Sequence, residues 1–280
     1  MSLFKRQRDV LVCVDSDGCV MDTMNCKHFY CFGPCMVDEW ELGEWRDEIL
    51  SRWNDINLYE VTRGINRFKG LAMALGEINE KYTRIAGIDA FKEWCRTTHA
   101  LSMAALSEAI EASEEGEGRD CMIKALSWSR AVNESIDSLS DDVKIPFEGA
   151  KAGLERAHAV ADVAVVSSAN REAVIEEWER FGLLSSTDVT LTQDVGSKAF
   201  CIREMLKHGY DRERTLMVGD AIGDMQAAEA NGVCFFPILP GRERESWQQL
   251  CDVALARLLD GSYIGEYQEK KKAEFMANFK

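Results

Sequence analysis

Proline is scarce in this chain: four in 280 residues, with none between Pro34 and Pro146. Nothing in that interval forces a helix to break. Positive charge is also short. The 33 Lys and Arg face 48 Asp and Glu, a formal net charge of -15. Binding to a nucleic-acid backbone, which needs concentrated cations, is therefore disfavoured. No apolar run approaches the ~18 residues of a transmembrane helix, so no membrane partner is expected. The four histidines show no partnered arrangement, and nothing suggests a His-based nucleophile. Ten cysteines are thin for a disulfide scaffold of this length. Lys5-Arg6-Gln7-Arg8 mimics the basic head of a secretory signal, yet the apolar run behind it is five residues and ends at Asp15. The expectation is a cytoplasmic protein with reduced thiols. What is present is ordinary for a folded chain: 46% hydrophobic and 29% charged residues, enough for one large domain or two smaller ones.

The run Val10-Leu-Val-Cys-Val14 is the length of a buried strand and too short for an ordinary helix. From about Val37 to Asp142 almost nothing reads as a strand. Val37–Trp53, Ile65–Tyr82, Asp89–Ala112 and Asp120–Leu139 carry apolar residues at helical spacing, with Phe68, Leu71, Ala72, Leu75 and Ile78 marking one face. From Pro146 the pattern changes. Helices are predicted at Glu148–Ala161, Arg171–Phe181, Lys198–His208 and Asp224–Asn231. Strands are predicted at Val163–Val166, Asp188–Leu191, Thr215–Val218 and Val233–Phe236. Alternation of this kind implies an α/β fold, a Rossmann-like parallel sheet with helices on both faces. The first strand has no partner in the helical stretch, so it must join this sheet. Residues 1–24 and 145–280 then form an α/β core domain, and 25–144 an inserted all-helical domain. Two more helices are expected at Ser246–Leu259 and Gly265–Phe279.

Ligands of open parallel sheets bind outside the carboxyl ends of the strands. Those ends carry Asp15 and Asp17, then Ser167 and Ser168, then Asp220 with Asp224 four residues on, and Lys198 opens a helix. A lone Asp after a strand is more often a turn or N-cap residue than a catalyst. Two carboxylates this close are costly to bury unless a cation or shared proton offsets the repulsion. The set suits a Mg²⁺ ion, which prefers oxygen ligands, and a phosphate.

Asp15-Ser-Asp17-Gly18-Cys19-Val20-Met21-Asp22-Thr23, the Ser167 strand end, Lys198 and Gly219-Asp220-Ala-Ile-Gly-Asp224 resemble the four motifs of the haloacid dehalogenase-like hydrolase superfamily. The helical insertion lies where such proteins carry a cap. The resemblance implies that Asp15 attacks phosphorus to form an aspartyl-phosphate. Asp17 handles the protons of the leaving group and the water. Ser167 and Lys198 hold the transferring phosphoryl group, with Ser168 as a neighbouring substrate contact or a cap of the following helix. Asp15, Asp17 (through its backbone carbonyl) and Asp220 bind Mg²⁺, and Asp224 binds through water or orients Lys198. An acid at the position of Asp17 favours phosphate esters over carbon–halogen bonds.

The expected activity is therefore Mg²⁺-dependent hydrolysis of a small phosphorylated metabolite. A phosphomutase acting on a sugar phosphate and a catalytically inactive binding protein on the same scaffold are the alternatives. Arg63, Asn66 and Arg67, in a segment with three cations ahead of an apolar helix, are candidate substrate contacts, because cations there oppose the helix dipole. The bland reading is a polar helix start. Cys19 stands where the family most often has Thr, and sensitivity to thiol reagents is expected from it. Cys26, His28, Cys31 and Cys35 invite a zinc reading, but the spacing fits no familiar zinc pattern. Buried or lid-lining cysteines are the preferred reading.

Overall fold

A computed structural model of the protein describes residues 4–280. Its chain divides into two compact units, Asn25–Ser140 and the remainder on either side of it.

Strand β1 (Leu11–Val14) is buried along its whole length. The helical unit follows. A short helix α1 (Met24–Lys27) leads through a π-helical turn at His28–Phe32 into α2 (Gly33–Glu39). Then come α3 (Arg46–Asn54), α4 (Arg67–Lys81), α5 (Ile88–Thr97), α6 (Met103–Ala112) and α7 (Glu117–Asp137). All five residues of the predicted α4 face are buried. They share one apolar core with Trp53, Phe91 and Trp128.

Two of the four predicted helices are each divided. Val37–Trp53 breaks because Glu41 adopts a left-handed backbone, with φ 55°, and Leu42 turns fully into the core. Asp89–Ala112 breaks at Thr98, which is extended. The chain restarts where the Ser102 hydroxyl accepts from the Ala105 amide and caps α6. In both places apolar spacing continues across a turn, so periodicity alone does not reveal the break.

The second unit is the α/β core. The helix α8 (Ala150–His158) precedes β2 (Asp162–Val166), and α9 (Arg171–Arg180) precedes β3 (Val189–Leu191). Then α10 (Lys198–Leu206), β4 (Thr215–Gly219), α11 (Ile222–Asn231) and β5 (Cys234–Pro237) follow. The helices α12 (Glu243–Gln249), α13 (Leu255–Asp260) and α14 (Glu266–Ala277) complete the chain. The five strands are all parallel in the order β3-β2-β1-β4-β5. The chain grows outward from β1 to one edge, then returns to β1 and grows the other way. The switch point lies between β1 and β4, where doubly wound sheets bind ligands.

Successive side chains of a strand point to opposite faces. Val10, Val12 and Val14 therefore pack with Leu154, Trp178 and Trp247 on one face of the sheet. Leu11 and Cys13 pack with Cys201, Met205 and Phe275 on the other. The same alternation continues past the end of β1 and fixes which way the acidic motif points. No helix among the described residues is long and apolar enough to cross a membrane.

Candidate active site

The ladder extends one residue beyond β1: the Asp15 amide donates to the Val218 carbonyl at 3.0 Å. Val14 is in register with Val165 on one side and Val218 on the other. Asp15 is therefore level with Val166 and Gly219, and Ser167 and Asp220 follow one residue later. Odd-numbered residues of β1 face α10, and Asp15 meets the first residue of that helix. The Lys198 Nζ lies 2.8 Å from Asp15 Oδ2 and 2.6 Å from Asp224 Oδ1.

Asp224 has a second task. Its Oδ2 accepts from the Ala221 amide at 3.0 Å, capping α11. One oxygen thus anchors the helix while the other anchors the ammonium. Gly219 makes room for this: a Cβ there would stand 2.3 Å from the Asp224 Cγ. Asp220, fully inside the protein, completes the group, and one oxygen each of Asp15, Asp220 and Asp224 lie within 4.8 Å of one another.

Burial raises the Asp15 carboxyl well above its ordinary range; Asp224 and Asp220 push it the same way, and Lys198 opposes them. Burial pulls the Lys198 ammonium down, but Asp15 and Asp224 outweigh it and hold it above its ordinary range. Three carboxylates against one ammonium leave the group short of positive charge. An all-oxygen donor set with that deficit is the kind a hard divalent cation such as Mg²⁺ fits. It is also the one acidic, His or Cys cluster among the described residues with ligand atoms this close.

Asp17 is half-buried and accepts from the Thr23 hydroxyl. Thr23 is itself buried. The intervening turn closes on the Ser16 carbonyl, which accepts from the Val20 and Met21 amides at 2.9 Å each, and Gly18 takes φ 82°. Ser167 is buried at the end of β2, its Oγ accepting from the Ala169 amide at 3.1 Å. Ser168 is exposed, and Asn170 caps α9 through the Glu172 and Ala173 amides.

Other expected residues lie in the helical unit. Arg63 is buried and donates to the Leu58 carbonyl at 3.0 Å. Asn66 caps α4 through the Phe68 amide and donates to the Leu101 carbonyl at 3.1 Å. Arg67 donates to Ser129 Oγ at 3.1 Å and Asn133 Oδ1 at 2.7 Å, with its guanidinium over the Phe32 ring. The cation that opposes the dipole of α4 is thus engaged by side chains of α7.

One cysteine reading changes. Cys19 is fully buried, and burial, reinforced by Asp220 and Asp15, raises its thiol well above the ordinary range. Reactivity needs an exposed thiolate, so the expected sensitivity to thiol reagents has no physical basis in the folded chain. In the Cys26–Cys35 segment, the His28 Nδ1 accepts from the Trp53 indole at 3.1 Å, and the imidazole stacks on Phe32.

The family model for haloacid dehalogenase-like hydrolases matches residues 78–238. The chain belongs to that family. No curated protein matches it. Among solved structures, a hydrolase from Pseudomonas syringae is 14% identical with a TM-score of 0.49, over 92% of this chain and 100% of that one. A predicted phosphatase from Clostridium acetobutylicum is 13% identical with a TM-score of 0.47, over 82% and 85%. The protein YfnB from Bacillus subtilis, solved with magnesium, is 14% identical with a TM-score of 0.47, over 88% and 100%.

Sequence pattern alone assigns no part to Thr23 beyond its place in the motif, nor to Ser16, Trp178 or Trp247. Parity along β1 is the signal that finds Ser16, since it must leave the sheet on the face opposite Asp15.

Proposed function

We propose that this hydrolase is a phosphatase acting on a small phosphorylated metabolite. The observation that carries the reading is the half-buried Lys198 held between Asp15 and Asp224 beside Asp220. An ammonium fixed next to a carboxylate at a strand end both orients the carboxylate and offers charge to an incoming anion.

In this reading the Asp15 oxygen not paired with Lys198 attacks phosphorus. The bond from phosphorus to the ester oxygen breaks, and Asp17, in its acid form, gives its proton to that oxygen as the alcohol leaves. An acyl phosphate on Asp15 results. Asp17, now a carboxylate, takes a proton from water as the water oxygen attacks phosphorus. Inorganic phosphate leaves and both side chains return to their starting forms. Help of this acid/base kind is worth ~10²–10⁴-fold. Lys198 neutralises charge on the phosphoryl oxygens throughout, and Ser167 with Ser168 offers hydroxyl donors beside them. Thr23 fixes the rotamer of Asp17 through its hydroxyl.

Asp15, Asp220 and the Asp17 carbonyl would hold Mg²⁺, with Asp224 given mainly to Lys198. When bound, the ion supplies positive charge against the oxygens that gain negative charge in transfer. The helical unit serves as the cap that selects the substrate. Arg63, Asn66 and Arg67 would reach one only by exchanging their present partners.

The test is a panel of phosphate monoesters with Mg²⁺ and with a chelator, using wild type and Asp15→Asn. Phosphate release that needs both Mg²⁺ and Asp15 supports the reading. Interconversion of sugar phosphate isomers without release would replace it by a mutase. No reaction across the panel would leave the inactive binding scaffold.

A further inference from the structure

We propose that Trp178 and Trp247 are positioning residues for the nucleophile turn, acting through Ser16 and the Cys19 carbonyl. This rests on the phosphatase reading of Asp15 and Asp17. Ser16 lies between those two carboxylates in sequence, and strand alternation sends its side chain to the opposite face of the sheet from Asp15. There the Trp178 indole N–H, from α9, donates to the Ser16 hydroxyl at 2.9 Å. Three residues on, the Trp247 indole N–H, from α12, donates to the Cys19 carbonyl at 3.1 Å.

Both indoles and Ser16 are almost completely buried. A buried donor must find an acceptor, and both donors here find theirs in the one turn that carries the acidic pair. The fit around Trp247 is close. A Cβ on Gly153 of α8 would stand 2.2 Å from its Cε3, so only glycine lets α8 seat against the ring. The turn is thus gripped at two points from behind, while Lys198 and Thr23 hold the carboxylates in front. A rigid grip matters because displacing a nucleophile by a fraction of an ångström costs rate without costing substrate affinity.

The test uses the full chain with Ser16→Ala, Trp178→Phe, their double variant and Trp247→Phe. Turnover of 4-nitrophenyl phosphate with Mg²⁺ gives kcat and KM, and calorimetry with Mg²⁺ alone gives its affinity. Each single variant is expected to lower kcat by about five- to tenfold, the worth of one buried hydrogen bond. KM is expected to move less than about twofold. The double variant should lose little more than either single, because the two groups form one bond. Mg²⁺ affinity should fall in parallel. Ser16→Ala removes a single oxygen and keeps the test available if Trp178→Phe does not fold.

Unchanged kcat and Mg²⁺ affinity in folded variants would overturn the proposal, as would losses that multiply in the double variant. A wild type that hydrolyses nothing would end the phosphatase reading, and Mg²⁺ affinity would then decide this one. A wild type that neither hydrolyses nor binds Mg²⁺ would overturn both.

Discussion

Gly219→Ala is a single methyl group whose effect can be worked out from the geometry of the site. The added Cβ would sit 2.3 Å from the Asp224 Cγ and 2.4 Å from its Oδ2. Carbon atoms in contact prefer about 3.5–4.0 Å, so Asp224, which is fully buried, must give way by more than an ångström. It cannot do so and keep both the Ala221 amide at 3.0 Å and the Lys198 ammonium at 2.6 Å. Losing the cap costs about 0.5–2 kcal/mol, and losing a charged hydrogen bond about 1.5–3 kcal/mol. The sum, about 2–5 kcal/mol, corresponds to a fall of about 3–9 °C in Tm for a protein of this size. Lys198 would retain only its contact with Asp15, and kcat should drop by at least about tenfold. Differential scanning calorimetry and phosphate release on the same preparation would check this. A variant with unchanged Tm and unchanged kcat would refute the idea that Asp224 acts as the shared anchor of helix and ammonium.

Removing Lys198 should be worse: Lys198→Met leaves Asp15 and Asp224 facing each other without their shared ammonium, at a cost of about 3–5 kcal/mol, and a urea midpoint close to wild type would contradict this. For pH, the raised Asp15 carboxyl means that the folded chain holds a proton the unfolded chain loses above about pH 4. That stabilising contribution is present at low pH and is lost as pH rises toward the folded value, so Mg²⁺ should raise Tm more at about pH 8 than at about pH 5. Glu77 has the opposite sign. Its hydrogen bonds to Arg52, at 2.8 Å each, hold it below its ordinary value, so its contribution is present at neutral pH and lost as pH falls through that lowered value. Glu77→Gln should therefore destabilise by up to about 1 kcal/mol near neutrality and by progressively less as pH falls through that lowered value, read from urea midpoints.

The sheet was legible because β1 and β2 are short Val-rich runs followed by Asp15 and Ser167, β4 ends at Gly219 before Asp220, and the helices between the strands stop at glycines such as Gly182 and Gly232. The acidic set was legible for the same reason, since strand ends are where a parallel sheet gathers its side chains. What stayed hidden depended on neighbours distant in sequence. Nothing local tells that Arg67 folds onto Ser129 and Asn133, or that Asp224 divides its two oxygens between a helix end and Lys198. The break at Glu41 was hidden because a non-glycine residue in a left-handed conformation carries no composition signal. The burial of Cys19 follows from α12 covering the turn, a contact made by residues 228 positions away in the chain.

Trapping the covalent intermediate tests the nucleophile most directly. In Asp17→Asn, transfer from an aryl phosphate needs little acid help, because the leaving phenolate is stable, whereas attack by water still needs a base. Quenched single turnovers with Mg²⁺ should therefore leave the phosphoryl label on the peptide that contains Asp15, decaying slowly to phosphate. Label on any other peptide, or free phosphate formed with no labelled peptide at any time point, would contradict Asp15 as the nucleophile.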